Sequence, residues 1–339
     1  MESLLAYYLH DLDPYIFRIG ERFGPRWYGL SYVAAFMAGY GILLRLARKG
    51  YTRLSPAQVG DFIVLAAIFG VLLGGRMGSM LLYQFDEFRA RPWIFFTEFG
   101  QGGMASHGGI VGLALFTLWY AWRHRLSWPG LGDDLVCVAP LGIFFVRLAN
   151  FINGELYGRA TRVAWAVLFP DELTRLPLER RIAFERAALL ADPEAPDLRA
   201  GAPAVLETVR RAGENPKLEE VLRETLTPRH PSQIYQALME GLLLFLLLMA
   251  VRLRWKQLPA GLLTGLFFLG YAVLRIAGER FREPDALPIY GLTRGEFYSA
   301  LMIPVGLAFL LYAWLGRGLK SAAGPGGGSG AGGAGPRRN

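Results

Sequence analysis

The chain has 339 residues, of which 53% are hydrophobic, and its mean hydropathy is +0.28. This composition exceeds what the surface of a water-soluble globular protein tolerates, so the lipid bilayer is the expected solvent. The net charge of +8 lies mostly in short loops between apolar blocks, as expected for loops facing anionic lipid. Because no basic helix interleaved with aromatic residues is present, nucleic acid is not an expected partner.

Cysteine and aspartate usage argues against a metal site. Cys137 is the only cysteine, which excludes an internal disulfide and a cluster of thiolate ligands. No spaced set of aspartates stands within an apolar block. We therefore expect neither a metal ion nor another cofactor.

The apolar residues form seven blocks, each close to the roughly 20 residues that a spanning helix needs. We predict an all-α polytopic membrane protein in which an external N-terminal segment, residues 1–26, precedes four transmembrane helices within residues 27–152. An external loop, residues 153–233, leads to three more within residues 234–315. The seven predicted helices cover residues 27–46, 60–83, 107–122, 133–152, 234–252, 259–277 and 296–315.

Two segments of the chain lack the apolar pattern. Within the external loop, residues 171–227 are rich in Arg, Glu, Ala and Pro and contain the helix-compatible run LERRIAFERAALLA, so a small soluble insertion is expected there. Its role is open. Residues 316–339 are rich in Gly and Ala and are predicted to form a disordered cytoplasmic tail.

The positive charges of the short loops predict the orientation of the chain. They are more numerous on one side, which should be cytoplasmic. This places the N-terminus and the insertion outside and the C-terminus inside. The charges on the predicted cytoplasmic side are Arg45, Arg48, Lys49, Arg53, Arg123, Arg125, Arg252, Arg254, Lys256, Arg317 and Lys320.

Apart from the arginines at the predicted cytoplasmic ends, the predicted spans contain Arg76, Arg147 and Arg275. An arginine at mid-membrane costs about 2.5–3.5 kcal/mol on insertion scales, so each needs a partner or a purpose. Alternation of the helices places all three towards one membrane face, and the polar residues of the other spans fall there too. We therefore predict one functional site at that face. The other polar residues are Arg26, Tyr28, His107, Arg229, His230, Gln233, Tyr235 and Glu240.

The segment RLANFINGELYGR places Arg147 and Asn150 on one helix face, three residues apart. The chain then leaves the helix at Asn153, and Glu155 follows. This set of amides, guanidinium and carboxylate could hold a polar head group through charge-assisted hydrogen bonds. The structural alternative is an elaborate helix terminus.

The segment GYAVLRIAGERFREPD places Tyr271, Arg275, Glu279 and Arg282 on one helical stripe. Arg275 and Glu279 can form a structural ion pair, and the same pair can also orient the guanidinium towards a ligand. Both interpretations stay open at this point.

Glycines recur around His107 and in the second span. Near His107 they can expose backbone N–H groups to a phosphate, or they can simply form a turn. Histidine side chains often relay protons, so His107 is a candidate for that role. In the second span, Gly70, Gly74 and Gly78 recur every four residues, which favours close packing of a neighbouring helix.

These motifs resemble those of the bacterial prolipoprotein diacylglyceryl transferase family. They occur in the same order over nearly the whole chain, apart from the insertion and the tail, and RLANFINGE together with RHPSQ-Y is highly specific. The matching segments are RWYGL (26–30), GGRMG (74–78), GGMASHGG (102–109), RLANFINGELYGR (147–159), RHPSQIYQALMEG (229–241) and YAVLRIAGERFREPD (271–285).

The resemblance implies a multi-pass transferase of the bacterial inner (plasma) membrane. The family moves the diacylglyceryl group of phosphatidylglycerol to the lipobox cysteine of a prolipoprotein signal peptide, the first step of lipoprotein maturation. A thioether forms and glycerol 1-phosphate leaves. The implied partners are phosphatidylglycerol, prolipoprotein signal peptides and membrane lipids, and the substrate itself supplies the thiol.

The resemblance also implies roles for individual residues. Arg147 and Arg275 would hold the phosphate and take part in catalysis. His107 is a candidate base, Tyr271 and Glu155 complete the catalytic set, and the residue that takes the thiol proton stays open. The substrate-binding set adds Tyr28, Asn150, Gly158, Glu240 and Glu279 to the two arginines.

Proteins of other classes fit the sequence less well. A lipid transporter would need polar residues through both membrane halves, and the inner halves of the predicted spans are almost bare of charge. An intramembrane serine protease would need a paired Ser and His, and Ser106 and His107 are adjacent, so they do not face one another. A phospholipid synthase would need the spaced aspartates that the spans lack.

Overall fold

The computed structural model describes residues 7–18, 24–97, 105–284 and 287–322. Secondary structure in these ranges is almost entirely helical, which confirms the predicted all-α class. The helices are α1 Trp27–Arg48, α2 Pro56–Tyr83, α3 Phe85–Ala90, α4 Ile94–Thr97, α5 Ser106–His124, α6 Trp128–Val136, α7 Ala139–Ile152, α8 Leu178–Ala191, α9 Ala202–Ala212, α10 Pro216–Thr225, α11 Ser232–Arg254, α12 Leu262–Glu279 and α13 Arg294–Ala322. The strands are β1 Tyr8–Leu9, β2 Val167–Leu168 and β3 Pro228–Arg229.

Five helices of the described chain are long and apolar enough to cross a membrane: α1, α2, α11, α12 and α13. The pair α6 and α7, bent by 40°, adds a sixth span if it counts as one. Helix α5 coincides with the third predicted span, but it is not among these candidates, because His107, Arg123 and His124 lie in its terminal turns. The multi-span architecture is confirmed, whereas the predicted number of seven is not.

Helix boundaries differ from the prediction where polar residues take part in helix ends. Helix α2 begins at Pro56, not at residue 60, because the Gln58 side-chain oxygen accepts hydrogen bonds from Ser55 N at 3.0 Å and Ser55 Oγ at 2.9 Å. At the other end of the chain, α13 continues to Ala322, into the segment predicted to be a disordered tail. The rest of that tail, residues 323–339, lies outside the described residues.

Helices α2 and α5 cross with their backbones in direct contact. A Cβ atom added at Gly78 would lie 2.4 Å from the Cα of Gly108, and one added at Gly112 would lie 2.8 Å from the Cα of Gly74. Only glycine fits at such a crossing. The prediction that the glycines of the second span serve helix packing is therefore confirmed.

Helix α7 packs against α1 on one side and against α11 on the other. The approach of α11 is close, since a Cβ atom at Gly241 would lie 2.6 Å from Phe144 Cβ. Helix α11 also packs against α12, which runs along α13. This arrangement brings one face each of α7, α11 and α12 together inside the bundle.

The insertion packs around its own apolar core at one end of the bundle. The run LERRIAFERAALLA forms α8, and residues of α8, α9 and α10 surround the buried side chains of Leu173, Phe184 and Leu218. Strand β1 pairs in parallel with β2, which pairs antiparallel with β3. The N-terminal segment and the insertion therefore lie at the same end of the bundle.

A polar cluster lies where α6 meets the start of α12. It corrects the expectation that the inner halves of the predicted spans are almost bare of charge. Asp133 accepts hydrogen bonds from Gly261 N at 2.8 Å and from Thr264 N at 2.8 Å, at the start of α12. Asp134 accepts from Arg53 N at 2.6 Å and lies 3.5 Å from Arg252. Both carboxylates bind backbone groups of loops and helix ends, so the cluster has a structural role in the fold.

Candidate active site

A buried carboxylate joins the two arginines that the sequence places at one membrane face. Glu240 is fully buried on α11, in the π-helical turn Ala237–Leu243. Its carboxylate lies 3.6 Å from Arg147 Nη2 of α7 and 3.5 Å from Arg275 Nη1 of α12. π-Helical turns are frequent at functional sites, where they shift side chains out of α-helical register. The predicted convergence of Arg147, Arg275 and Glu240 is therefore seen in the structure.

Arg275 also contacts Glu279, one turn further along α12, at 2.8 Å. The expected structural pair is thus present, but it forms part of a larger set of two guanidinium and two carboxylate groups. The carboxylate of Glu279 also lies against the first turn of α13, since a Cβ atom at Gly295 would lie 2.6 Å from Glu279 Oε2. An acidic group is favourable at this positive end of a helix.

The two arginines differ in accessibility. The Arg147 side chain is 16% exposed, and its distance of 3.6 Å from Glu240 is longer than a hydrogen bond. The Arg275 side chain is 9% exposed and is held by carboxylates on both sides. Arg147 is therefore the guanidinium that an incoming anion reaches more easily.

The carboxylate of Glu155 is held by amides directly after α7. Asn150 Nδ2 donates to Glu155 Oε1 at 2.7 Å, and Asn153 Nδ2 donates to the same oxygen at 3.4 Å. Gln233 Nε2 donates to the backbone oxygen of Glu155 at 2.6 Å. The predicted group of Arg147, Asn150 and Glu155 thus lies at one helix end, with Gln233 as an additional member.

Gly158 lies where three chain segments meet. Its N–H donates to the backbone oxygen of His230 at 2.9 Å, and it forms a bridge with Arg282. A Cβ atom at Gly158 would lie 2.5 Å from the backbone oxygens of both His230 and Phe281. Gly158 therefore shapes the site by permitting this approach of backbones. Burial lowers the pKa of His230, which favours the neutral imidazole.

His107 is exposed on α5, and its ring meets that of Tyr298 on α13 edge-on, with centroids 4.8 Å apart. The described contacts of His107 do not include Arg147, Arg275 or Glu240. The glycines predicted to surround it before residue 105 lie outside the described residues, as does the side chain of Ser106. The structure therefore places His107 on the neighbouring α5–α13 contact.

The two tyrosines of the predicted set lie on different helices. Tyr271 stacks on Phe267 within α12, with ring centroids 5.9 Å apart, and interacts electrostatically with Glu240. Tyr28 lies in the first turn of α1, with its ring 5.6 Å from that of Tyr32. Tyr271 thus belongs to the charged cluster, and Tyr28 lies on the helix that packs along α7.

Two other arginines from the motifs have structural partners. Arg76 is buried, and it donates to the backbone oxygen of Ile94 at 2.7 Å and to that of Phe95 at 3.2 Å, which fastens α4 to α2. Arg229 pairs with Glu172 of the insertion at 3.1 Å.

Among the described residues, no three His, Cys, Asp or Glu side chains lie close enough together to hold a metal ion.

Sequence reasoning missed Gln236, which is fully buried one turn before Glu240 on α11. A glutamine near the start of a span resembles an ordinary helix-end residue, so only its burial singles it out. The sequence places Gln233 at the same membrane face as the predicted site, but it gives no reason to include this residue in the site.

Comparisons with known proteins cover most of the chain. A family model described as prolipoprotein diacylglyceryl transferase matches residues 14–312. The phosphatidylglycerol–prolipoprotein diacylglyceryl transferase of Bdellovibrio bacteriovorus is 38% identical over 336 residues, covering 90% of this chain and 94% of the relative. The enzyme of the same name from Rhodospirillum centenum is 37% identical, covering 88% and 92%. That from Azospirillum brasilense is 36% identical, covering 90% and 95%.

Proposed function

Because the chain belongs to the prolipoprotein diacylglyceryl transferase family, we propose that its buried charged cluster binds phosphatidylglycerol and supports transfer of the diacylglyceryl group to a lipobox cysteine. Membership of the family confirms the resemblance identified from the motifs and makes the chain a transferase. The observation that carries the proposal for the site is the sharing of one buried carboxylate, Glu240, by Arg147 and Arg275. The acceptor is a prolipoprotein signal peptide.

Both arginines reach the same anionic group, the carboxylate of Glu240. A phosphate group is similar in size to a carboxylate and accepts hydrogen bonds from guanidinium groups in the same way. Two guanidinium groups that share the carboxylate of Glu240 can therefore share the phosphate of one lipid. Arg147, the more exposed of the two, contacts the lipid first, and Arg275 completes the contact from α12.

The reaction forms one bond and breaks one. The cysteine sulfur attacks the phosphate-bearing carbon of the diacylated glycerol, a thioether bond forms, and the bond between that carbon and the phosphate oxygen breaks. Glycerol 1-phosphate leaves with the electron pair of that bond. Since the leaving phosphate gains negative charge in the transition state, the preorganised arginines lower the barrier. Glu240 and Glu279 hold the arginines in place, and Tyr271 and Asn150 support the cluster.

The thiol must lose its proton, because the thiolate is the nucleophile and a free cysteine has a pKa of about 8.5. Two side chains have suitable chemistry for the base, one beside the charged cluster and one outside it. Glu155 is held by Asn150, beside Arg147, and His107 lies on the α5–α13 contact. The variant that removes the base, either Glu155→Gln or His107→Asn, should lower the transfer rate at a fixed pH, whereas the variant of the other residue should not.

We place the protein in the bacterial inner membrane, with the N-terminal segment and the insertion outside and the C-terminus in the cytoplasm. The support for this orientation is the larger number of positive charges in the loops of the predicted cytoplasmic side. In this orientation the charged cluster lies towards the outer leaflet, where a translocated signal peptide presents its lipobox cysteine.

The experiment that tests the proposal uses the purified protein with phosphatidylglycerol and a lipobox peptide. Mass spectrometry of the peptide should show the addition of one diacylglyceryl group. A peptide with Cys→Ser at the lipobox is the control and should gain nothing. Absence of the addition on the cysteine peptide would contradict the proposed function.

A further inference from the structure

Two glutamine side chains of α11 are fully buried without using all their hydrogen-bonding groups. Gln233 and Gln236 are both 0% exposed. Among the described residues, neither the side-chain nitrogen nor the side-chain oxygen of Gln236 has a hydrogen-bonding partner, and the side-chain oxygen of Gln233 has none. Burial of an amide without a hydrogen bond is unfavourable, so such groups in a protein interior indicate a ligand or ordered water that completes them.

Gln236 lies directly beside the charged cluster. It precedes Glu240 by one helical turn, and α12 approaches both residues at Gly278. A Cβ atom at Gly278 would lie 3.7 Å from Gln236 Cγ and 3.5 Å from Glu240 Oε1. Because Glu240 contacts both Arg147 and Arg275, a lipid phosphate held by these arginines carries its head group into the vicinity of Gln236.

Other amide side chains lie near the charged cluster, around Glu155. Gln233 binds the backbone of Glu155, whose carboxylate accepts from the amides of Asn150 and Asn153. The side-chain oxygens of Asn150 and Asn153 are buried and, within the described part of the chain, have no hydrogen-bonding partner. The charged cluster is therefore bordered by amides that offer acceptors and, at Gln236, also donors.

We infer that Gln236, with Gln233, hydrogen-bonds the two hydroxyl groups of the glycerol head group and so selects phosphatidylglycerol among phospholipids. This inference rests on the proposed function. An amide group and a hydroxyl group each donate and accept, so they pair in either direction. An ethanolamine or choline head group would instead bring a positive charge towards Arg147 and Arg275 and would offer no pair of hydroxyl groups to the amides.

The test compares phosphatidylglycerol with phosphatidylpropanol, whose head group has the same phosphate and three carbons but no free hydroxyl. Transfer from each lipid to the lipobox peptide is measured for the unaltered protein, for Gln236→Met and for the control Gln257→Met. Methionine keeps the length of the side chain and removes both hydrogen-bonding groups. Gln257 is exposed in the loop that follows α11, away from the charged cluster, so its substitution should change neither rate.

We expect Gln236→Met to lose about tenfold in transfer from phosphatidylglycerol, the loss of roughly one or two neutral hydrogen bonds, and little in transfer from phosphatidylpropanol. The preference for phosphatidylglycerol should therefore collapse. If the variant fails to insert, Gln236→Asn, which keeps an amide on a shorter side chain, should show a partial loss of the same preference.

Three outcomes would overturn the inference. An equal loss with both lipids would make Gln236 a packing residue. An unchanged preference would mean that ordered water completes its amide. Absence of transfer from any lipid by the unaltered protein would instead contradict the proposed function, and the inference would fall with it.

Discussion

Glu240 is the residue on which the geometry of the site depends most. It is fully buried, and within the described residues it is the carboxylate that contacts Arg147. Arg275, in contrast, contacts both Glu240 and Glu279. Removal of one member of a buried ion pair is costly, because the remaining charge loses its partner in a medium of low dielectric constant.

We expect Glu240→Gln to lower the free energy of unfolding by about 3 kcal/mol and to reduce transfer at least about tenfold, since Arg147 loses its carboxylate. Glu279→Gln should reduce transfer less, because Arg275 keeps Glu240 and Arg147 is unaffected. Thermal unfolding in detergent and the peptide assay measure the two effects. Equal loss of transfer in the two variants would contradict the central position of Glu240.

The residues of the site could be predicted from the sequence to different extents. The convergence of Arg147, Arg275 and Glu240 follows from helix alternation, because a charge in a span must find a partner. The burial of Gln236 does not follow, since it depends on the approach of α12 at Gly278. A pair of acids at the start of a span is visible in the sequence, yet the roles of Asp133 and Asp134 depend on loops distant in the chain.

At the scale of secondary-structure elements, the α2–α5 crossing depends on five glycines, namely Gly70, Gly74, Gly78, Gly108 and Gly112. We expect Gly112→Ala to destabilise the protein by about 1–3 kcal/mol, because its Cβ atom would lie 2.3 Å from the backbone oxygen of Gly70. Gly41→Ala is the matched control, as a Cβ atom there has nothing within 4 Å. It should gain up to about 1 kcal/mol of helix propensity.

Melting temperatures of the two glycine variants in the same detergent provide the comparison. A melting temperature of Gly112→Ala at or above that of Gly41→Ala would mean that the helices separate at the crossing without loss of stability.

The N-terminal segment is tied to the end of α7 by His10. Its Nε2 lies 2.7 Å from the backbone oxygen of Phe151, and burial lowers its pKa below the ordinary value of 6.5. As the pH falls below about 6.5, the unfolded segment binds a proton before the folded one does, so the folded segment loses stability in that range.

Hydrogen exchange at β1 and β2 should therefore become faster as the pH is lowered below about 6.5, after correction for the intrinsic rate. His10→Gln keeps an amide donor for Phe151 and cannot titrate in this range, so it should show a weaker dependence. An identical pH dependence in the two proteins would assign the effect to another group.

At the scale of the whole molecule, the orientation can be tested with the chain's own cysteine content. Cys137 is the only cysteine and is fully buried, so a Cys137→Ala background is free of thiols. Leu190 is 89% exposed on the insertion, and Lys256 is exposed in the loop between α11 and α12. A membrane-impermeant maleimide should label Leu190→Cys in intact spheroplasts and Lys256→Cys only after lysis. The reverse pattern would contradict the proposed orientation.

The multi-span helical architecture follows from the apolar blocks, because the bilayer sets the length and polarity of each span. The bend between α6 and α7 was not predicted, although Pro140 follows it directly and has no N–H to donate to the backbone oxygen of Val136, where α6 ends. The pairing of β1 with β2 joins segments about 160 residues apart. Nothing in either short segment specifies the other, so only the structure reveals that contact.

The central claim is that Arg147 stabilises the phosphate of the lipid during transfer. The most direct measurement is the rate of diacylglyceryl transfer to a lipobox peptide by Arg147→Ala, with Arg48→Ala as a control that removes an exposed arginine at the other end of the bundle. The site predicts a loss of at least about 100-fold in the first variant, with the protein still inserted and folded, and an unchanged rate in the second. Transfer at the full rate by Arg147→Ala would contradict the claim.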